Sequence, residues 1–322
     1  MSYKPIILVA GEPNSIFFEI LFKILKKKKI KSPLVLIASH RILSLQMKKL
    51  NFQKKIKILN LKRITNYKLS NNSINLINVD YNQKKAFEKI SNKSNNYIRR
   101  CFEIAIILLK SNYSNKLING PISKKNFLKK KFLGITEYFA EKFNKKKIAM
   151  LIYNNNLSVC PVTTHLPLKE VSKFIQKKLI FEKVQLINDF YKTYIGFEPK
   201  IALTGLNPHC ESTNKFNEDE KIIKPTISDL KKRKFKVYGP YAADTIFLKN
   251  NRKKFDVIIG MYHDQVLTPI KTLFEYDAIN ITLGLPFLRI SPDHGPNETM
   301  LGKNLSSSLS LYKAISFLEK IK

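Results

Sequence analysis

Asp256-Val-Ile-Ile-Gly-Met-Tyr-His-Asp-Gln265 sets a short, β-branched apolar run directly against a loop of polar, ligand-capable side chains. Residues 256–260 read as a buried strand, too short for a helix and closed by a glycine. Comparable runs recur at 6–10, 34–38, 116–119, 149–153, 157–162, 200–204 and 279–283. Stretches with apolar residues at helical spacing lie between them, over 16–28, 97–110, 168–191 and 219–232. Strands alternating with helices predict an α/β protein built on mostly parallel sheet. The Asn-, Ser- and Lys-rich stretch 66–96 shows neither period and is expected to be the least ordered part of the chain.

Glycine placement removes two common phosphate sites. The ten glycines, at 11, 120, 134, 196, 205, 239, 260, 284, 295 and 302, form neither GxGxxG nor GxxxxGK[ST]. A Rossmann phosphate turn and a P-loop in their usual form are therefore excluded, and any dinucleotide must sit on another scaffold.

With 322 residues, 44% of them hydrophobic, the chain can bury a sizeable core. Its longest apolar runs, such as 104–109, are far too short to span a bilayer. The run at 6–10 reads as a first strand rather than a secretory signal, so the expected location is the cytoplasm, with no membrane partner. Three scattered cysteines, Cys101, Cys160 and Cys210, form no CxxC and argue against a disulfide framework or a cysteine zinc site. They read as small buried apolar residues. The formal net charge is +34, but lysines are spread along the whole chain, as at 26–29, 129–131, 145–147 and 231–234. Without interleaved aromatics or a nucleic-acid-binding motif, this reads as a solvated surface that attracts anionic substrates, with no specific nucleic-acid partner.

Only five histidines occur. His165 follows the strand at 157–162, His209 the strand at 200–204, and His263 the strand at 256–260. Open α/β sheets build their binding sites beyond the carboxyl ends of their strands. Three neutral imidazoles so placed suit a catalytic zinc, cobalt or similar ion. A lone loop histidine is more often simply hydrogen-bonded, and His40 shares the strand-end position, so placement alone leaves the assignment open.

Gly260-Met-Tyr-His-Asp-Gln265 and Asn280-Ile-Thr-Leu-Gly-Leu-Pro-Phe-Leu-Arg-Ile-Ser-Pro-Asp-His-Gly295 closely resemble motifs of the 4-hydroxythreonine-4-phosphate dehydrogenase family of vitamin B6 biosynthesis. Asn119-Gly-Pro-Ile-Ser-Lys, Gly134-Ile-Thr-Glu-Tyr-Phe, Thr163-Thr-His-Leu-Pro-Leu, Gly205-Leu-Asn-Pro-His and Ala243-Asp-Thr add to the match. They keep the family's order from Gly11 to the C-terminus.

This resemblance implies a two-domain isocitrate/isopropylmalate-dehydrogenase-like α/β fold with a cleft between domains. The first domain, expected over 1–120 plus 278–322, lies on the dinucleotide side; the second, 121–277, carries the metal ligands and the dimer contacts. It further implies a homodimer with shared active sites, NAD or NADP as cofactor, one divalent metal per subunit (zinc, magnesium or cobalt), and a small phosphorylated substrate. The metal ligands fall on His165, His209 and His263, and the substrate contacts on Thr136, Lys271, Asn280 and Arg289. His294 falls where this fold approaches the dinucleotide. Asp244 and Asp264 are candidates for orienting a ligand or moving a proton, with helix capping as the alternative role. The implied reaction is oxidation and decarboxylation of 4-phosphooxy-L-threonine to 3-amino-2-oxopropyl phosphate. The alternative is a related dehydrogenase of threonate or erythronate 4-phosphate.

Two departures bear on the site. The family opening Gly-Asp-Pro-Ala-Gly-Ile-Gly-Pro-Glu is here Gly11-Glu-Pro-Asn-Ser-Ile-Phe-Phe-Glu19, so its backbone need not approach a ligand in the same way. The family's His-Thr pair after Gly134 is Ile135-Thr136, and isoleucine offers no hydrogen bond; the glycine-rich turn after His209 is replaced by Cys210-Glu-Ser-Thr-Asn-Lys. With the other motif residues intact, a compensating group elsewhere is the preferred reading. Ile135→Ala is accordingly expected to change activity far less than His209→Ala; comparable losses in the two purified variants would contradict a passive role for Ile135.

Overall fold

The computed structural model describes residues 3–123, 134–212, 216–292 and 294–321. Residues 129–131 of the lysine-rich runs, part of the segment after Cys210 and Asp293 lie outside the described residues. The chain forms two compact units, Met1–Lys142 with Pro286–Lys322, and Phe143–Leu285.

The first unit opens with β1 (Ile6–Val9), α1 (Phe17–Lys27), β2 (Leu34–Ala38), α2 (His40–Lys49), β3 (Ile56–Ile58), β4 (Ile74–Asn78), α3 (Asn95–Lys110), β5 (Lys116–Asn119) and α4 (Ile135–Lys142). The second holds β6 (Ala149–Tyr153), β7 (Ser158–Pro161), α5 (Leu168–Phe174), α6 (Lys177–Phe190), β8 (Ile201–Thr204) and α7 (Lys224–Lys232). It continues through β9 (Val237–Tyr241), α8 (Ala243–Ile246), α9 (Lys249–Arg252), β10 (Val257–Gly260), α10 (His263–Phe274) and β11 (Ile279–Leu283). The chain then returns to the first unit with β12 (Leu288–Pro292) and α11 (Leu309–Lys320).

In the first unit the strands run in the order β3-β4-β2-β1-β5-β12, every neighbouring pair parallel. Parallel strands are covered on both faces, which is why β1, Ile-Ile-Leu-Val, is apolar and buried throughout. Helix α1 buries Phe17, Phe18, Ile20, Leu21, Phe22 and Ile24, and carries Glu19 in its first turn with Lys26 and Lys27 in its last, as the helix dipole favours. Its Phe22 ring stacks on Phe52 at 4.3 Å, tying α1 to the turn after α2. In the second unit the order is β11-β6-β7-β10-β8-β9, antiparallel at β11/β6 and β6/β7 and parallel beyond. Cys101, Cys160 and Cys210 are free and buried. No described helix is long and apolar enough to cross a membrane.

Several expectations need correction. The stretch 66–96 contains β4, which is hydrogen-bonded between β2 and β3 and is far from disordered. The helix expected over 168–191 breaks at Ile175 and Gln176, both with extended backbone. The unit boundaries differ from those expected at 120 and 278. Helix α4 belongs with the first unit because Tyr138 and Phe139 pack on the Phe102 ring of α3. Strand β11 belongs with the second because it pairs with β6 along its whole length.

Where β1 and β5 end side by side, the backbones meet without room for a side chain. Gly11 has φ +77°, and a Cβ there would lie 2.4 Å from the Pro121 carbonyl oxygen; one on Gly120 would lie 2.2 Å from that of Ala10. The Glu12 N–H closes the junction by donating to the same Pro121 oxygen at 2.8 Å. Gly11→Ala should therefore cost on the order of 2 kcal/mol of folding stability. An unchanged denaturation midpoint would contradict that close packing.

Candidate active site

In the second unit the parallel order β7-β10-β8-β9 delivers four loops to one edge of the sheet. His165 follows β7, His263 follows β10, His209 follows β8 and Asp244 follows β9. Backbone bonds stitch these loops together. Val162 N–H donates to Gly260 at 2.7 Å, Thr163 donates to the Met261 oxygen through both N–H (3.2 Å) and Oγ1 (2.8 Å), and Gly205 N–H donates to Tyr241 at 3.0 Å.

His165 and His263 are brought together, their ring centres 5.4 Å apart. His263 Nδ1 lies 2.6 Å from Asp264 Oδ1. In the tautomer with the proton on Nδ1, donated to the Asp264 carboxylate, Nε2 carries the free lone pair, the arrangement that orients histidine ligands. His209 lines a cavity of about 240 Å³ with Asn207, Asp244, Tyr262 and Gln265. Among the described residues no three His, Cys, Asp or Glu side chains are grouped so as to hold a metal ion. One chain thus assembles two of the three expected imidazoles.

The backbone around these histidines is strained. His165 and His209 both have φ 55°, and Cys210 has φ 62°. Left-handed non-glycine residues cost about 1–3 kcal/mol each and persist only where their surroundings over-determine them. Around His209 the surroundings are Asp219 and Gln265, two groups that the sequence reading did not assign. Asp219, fully buried, accepts the N–H groups of Leu206 (2.8 Å) and Asn207 (3.1 Å) and the Asn207 side-chain amide (2.9 Å). Gln265 accepts from Thr204 Oγ1 (2.8 Å) and Met261 N–H (2.7 Å) and donates to the Gly205 carbonyl (2.8 Å). Beside them, burial pushes the Cys210 thiol up, so it stays protonated.

Lys271 is exposed on the last turn of α10. Asn280 sits on β11 opposite Ile152, and its buried Oδ1 finds no hydrogen-bond donor among the described residues.

The remaining expected residues lie in the first unit. Arg289, on β12 and only 1% exposed, donates from Nε to Asn119 Oδ1 at 2.8 Å and from Nη1 to Thr136 Oγ1 at 3.2 Å. Burial lowers the guanidinium to about 9, with the nearby Glu137 carboxylate acting the other way, so it remains a cation at neutral pH. Ile135 precedes Thr136 on the first turn of α4 and gives this cluster no polar atom. His294 is half-buried, its Nδ1 3.0 Å from the Gly295 oxygen.

The loop after β1, where glycines were expected, is instead locked by its own side chains. Glu12, 2% exposed, accepts from Asn14 N–H (3.2 Å) and Ser94 Oγ (3.0 Å). Asn14 and Gln83 exchange amide hydrogen bonds at 3.2 and 3.0 Å. Burial raises the Glu12 carboxyl; the Asn14 and Ser94 bonds oppose that, and the Glu298 charge adds to it.

The model of the family described as pyridoxal phosphate biosynthetic protein PdxA matches residues 29–318. A 4-hydroxythreonine-4-phosphate dehydrogenase of Sulfurihydrogenibium sp. (strain YO3AOP1) is 37% identical over 96% of this chain and 95% of its own. A D-threonate 4-phosphate dehydrogenase of Salmonella typhimurium is 29% identical over 97% of each. The solved 4-hydroxythreonine-4-phosphate dehydrogenase of Klebsiella pneumoniae superposes with a TM-score of 0.82 at 26% identity, over 98% of both chains. Isocitrate dehydrogenase of Methylococcus capsulatus shares the fold alone, with a TM-score of 0.51 at 8% identity over 98% of this chain and 84% of its own.

The Glu12 network makes a pH-dependent prediction. A carboxyl raised in the folded state contributes stability below its unfolded value and loses it as pH rises through the folded one. The melting temperature of Glu12→Gln, relative to the parent, should therefore climb as pH rises above about 4, the carboxyl's ordinary value. A relative value that stays flat above that pH would contradict the burial argument.

Proposed function

We propose that this chain, a dehydrogenase that belongs to the PdxA family of pyridoxal phosphate biosynthetic proteins, oxidises the secondary alcohol of 4-phosphooxy-L-threonine with NAD or NADP as hydride acceptor. The keto acid so formed loses carbon dioxide to give 3-amino-2-oxopropyl phosphate. His165 and His263 would hold a divalent cation, which would supply Lewis-acid polarisation of the alcohol oxygen, and a bound nicotinamide would supply the hydride acceptor.

One observation carries the metal-assisted part of this reading: the His165–His263 pair at 5.4 Å. Two imidazoles on one tetrahedral ion, each bound at about 2.0–2.1 Å, hold their ring centres about 5 Å apart. Asp264 on His263 Nδ1 leaves Nε2 to face an ion. A two-imidazole half-site within one chain suits a homodimer whose active sites share ligands.

The remaining residues then divide the work on the substrate. Arg289, fixed by Asn119 and Thr136, offers a rigid guanidinium fork to a phosphate or carboxylate. Lys271 adds a second positive charge from α10. Asn280 Oδ1 accepts from the substrate's ammonium or hydroxyl donor. Asp244, beside His209 in the cavity, takes the alcohol proton. His294 contacts the dinucleotide.

A second reading, oxidation of threonate or erythronate 4-phosphate, draws support from the relative that acts on D-threonate 4-phosphate and from Ile135, which stands where the family carries a histidine. The test is NADH formation from a panel of 4-phosphorylated acids, with and without chelator. The amino acid should give the highest kcat/KM, and thorough metal removal should abolish turnover. A higher kcat/KM for the hydroxy acid would replace the first reading with the second, and turnover insensitive to metal removal would contradict metal assistance.

A further inference from the structure

We propose that Gln265 is a positioning residue that sets the His209 and His263 loops in register, and so fixes the metal-binding geometry without touching the metal. The inference rests on the metal-assisted reading above and goes beyond its ligand set.

Gln265 lies on the first turn of α10, two residues after His263, so its Cα is held by a helix. Its single amide reaches two strand ends. Oε1 takes the Met261 N–H on the β10 side and the Thr204 hydroxyl on the β8 side, while Nε2 donates to the Gly205 carbonyl, four residues before His209. The Met261 carbonyl in turn accepts both bonds from Thr163, two residues before His165. A continuous run of hydrogen bonds therefore joins all three histidine loops, and Gln265 is the step that crosses from β10 to β8.

The chemistry of the residue is specific. A glutamine presents an acceptor and a donor on one planar group, and this position uses both. Glutamate would set a carboxylate oxygen against the Gly205 carbonyl. Methionine keeps the length and loses every bond. Downstream of Gly205 the chain enters the left-handed backbone of His209 and Cys210, with Asp219 holding Leu206 and Asn207 from the other side. Releasing the Gln265 clamp lets the strained segment relax at the expense of imidazole placement.

The test uses the full-length protein and cobalt(II) as the probe, with affinity read by calorimetry and ligand geometry by the visible d–d absorption. Gln265→Met should lower cobalt affinity about 10–100-fold, the range found when the support of a metal ligand is removed, and should change the absorption envelope. Thr204→Val, which deletes one of the three bonds, should give the same spectral change with a smaller affinity loss, and it stands in should Gln265→Met fail to fold. His209→Ala separates the two ideas. If it loses cobalt binding while both clamp variants keep parental affinity and spectrum, the role of Gln265 is overturned and the metal reading stands. If His209→Ala binds cobalt like the parent, the metal reading falls and the role of Gln265 falls with it.

Discussion

Parallel strand pairing is the constraint on which this molecule depends. Each parallel neighbour requires a crossover, so every strand of a parallel set ends on the same edge. In the second unit that rule gathers the ends of β7, β10, β8 and β9. Residues as far apart in sequence as His165 and His263 can then meet. The loops need little length, because the sheet has already done the long-range positioning. What remains is local: a few hydrogen bonds between adjacent loops and two polar side chains, the buried Asp219 and the half-buried Gln265.

The electrostatics follow a similar economy. A formal charge of +34 is conspicuous, yet most of it sits on lysines in water, where each charge is screened and individually weak. Arg289 differs because it is buried on β12 and braced by two neutral oxygen acceptors. In a low-dielectric setting one fixed guanidinium interacts with an anion far more strongly than a fringe of mobile ammonium groups. Mobile surface lysines can raise the local concentration of anions; a fixed guanidinium is the group suited to orienting one.

Much of this was legible in the sequence where burial imposes a pattern. Strands β1, β2, β5, β7, β8 and β10 stood out because fully covered parallel strands read as short apolar runs, and the antiparallel β6 and β11 stood out because they too are almost wholly buried. Strand β4 did not, since its Ile-Asn-Leu-Ile-Asn carries a buried Asn75 that donates to the carbonyls of Leu34 and Ser70, a pairing invisible without the fold. Strand β9 hid behind its Gly-Pro, which only an edge position tolerates. The break at Ile175 and Gln176 carries neither glycine nor proline to announce it. At the candidate site the histidines could be named from strand ends, and Arg289 from its motif. Their supports could not: Asn119 lies 170 positions from Arg289, and Asp219 grips a loop 13 positions upstream through backbone groups that any sequence possesses.

The left-handed turns have one further consequence, which concerns the genetic code. Among the described residues ten non-glycine positions have positive φ, and five of them are asparagines: Asn51, Asn112, Asn144, Asn297 and Asn304. Asparagine tolerates this conformation better than most residues with a Cβ. Its codons begin with two adenines, as lysine's do, whereas every glycine codon begins with two guanines. A chain with only ten glycines and 58 lysines plus arginines can thus keep its tight turns while drifting toward adenine-rich coding. No such exchange is open at Gly11 and Gly120, where the obstacle is a neighbouring backbone and no choice of side chain, however tolerant of the left-handed region, would fit.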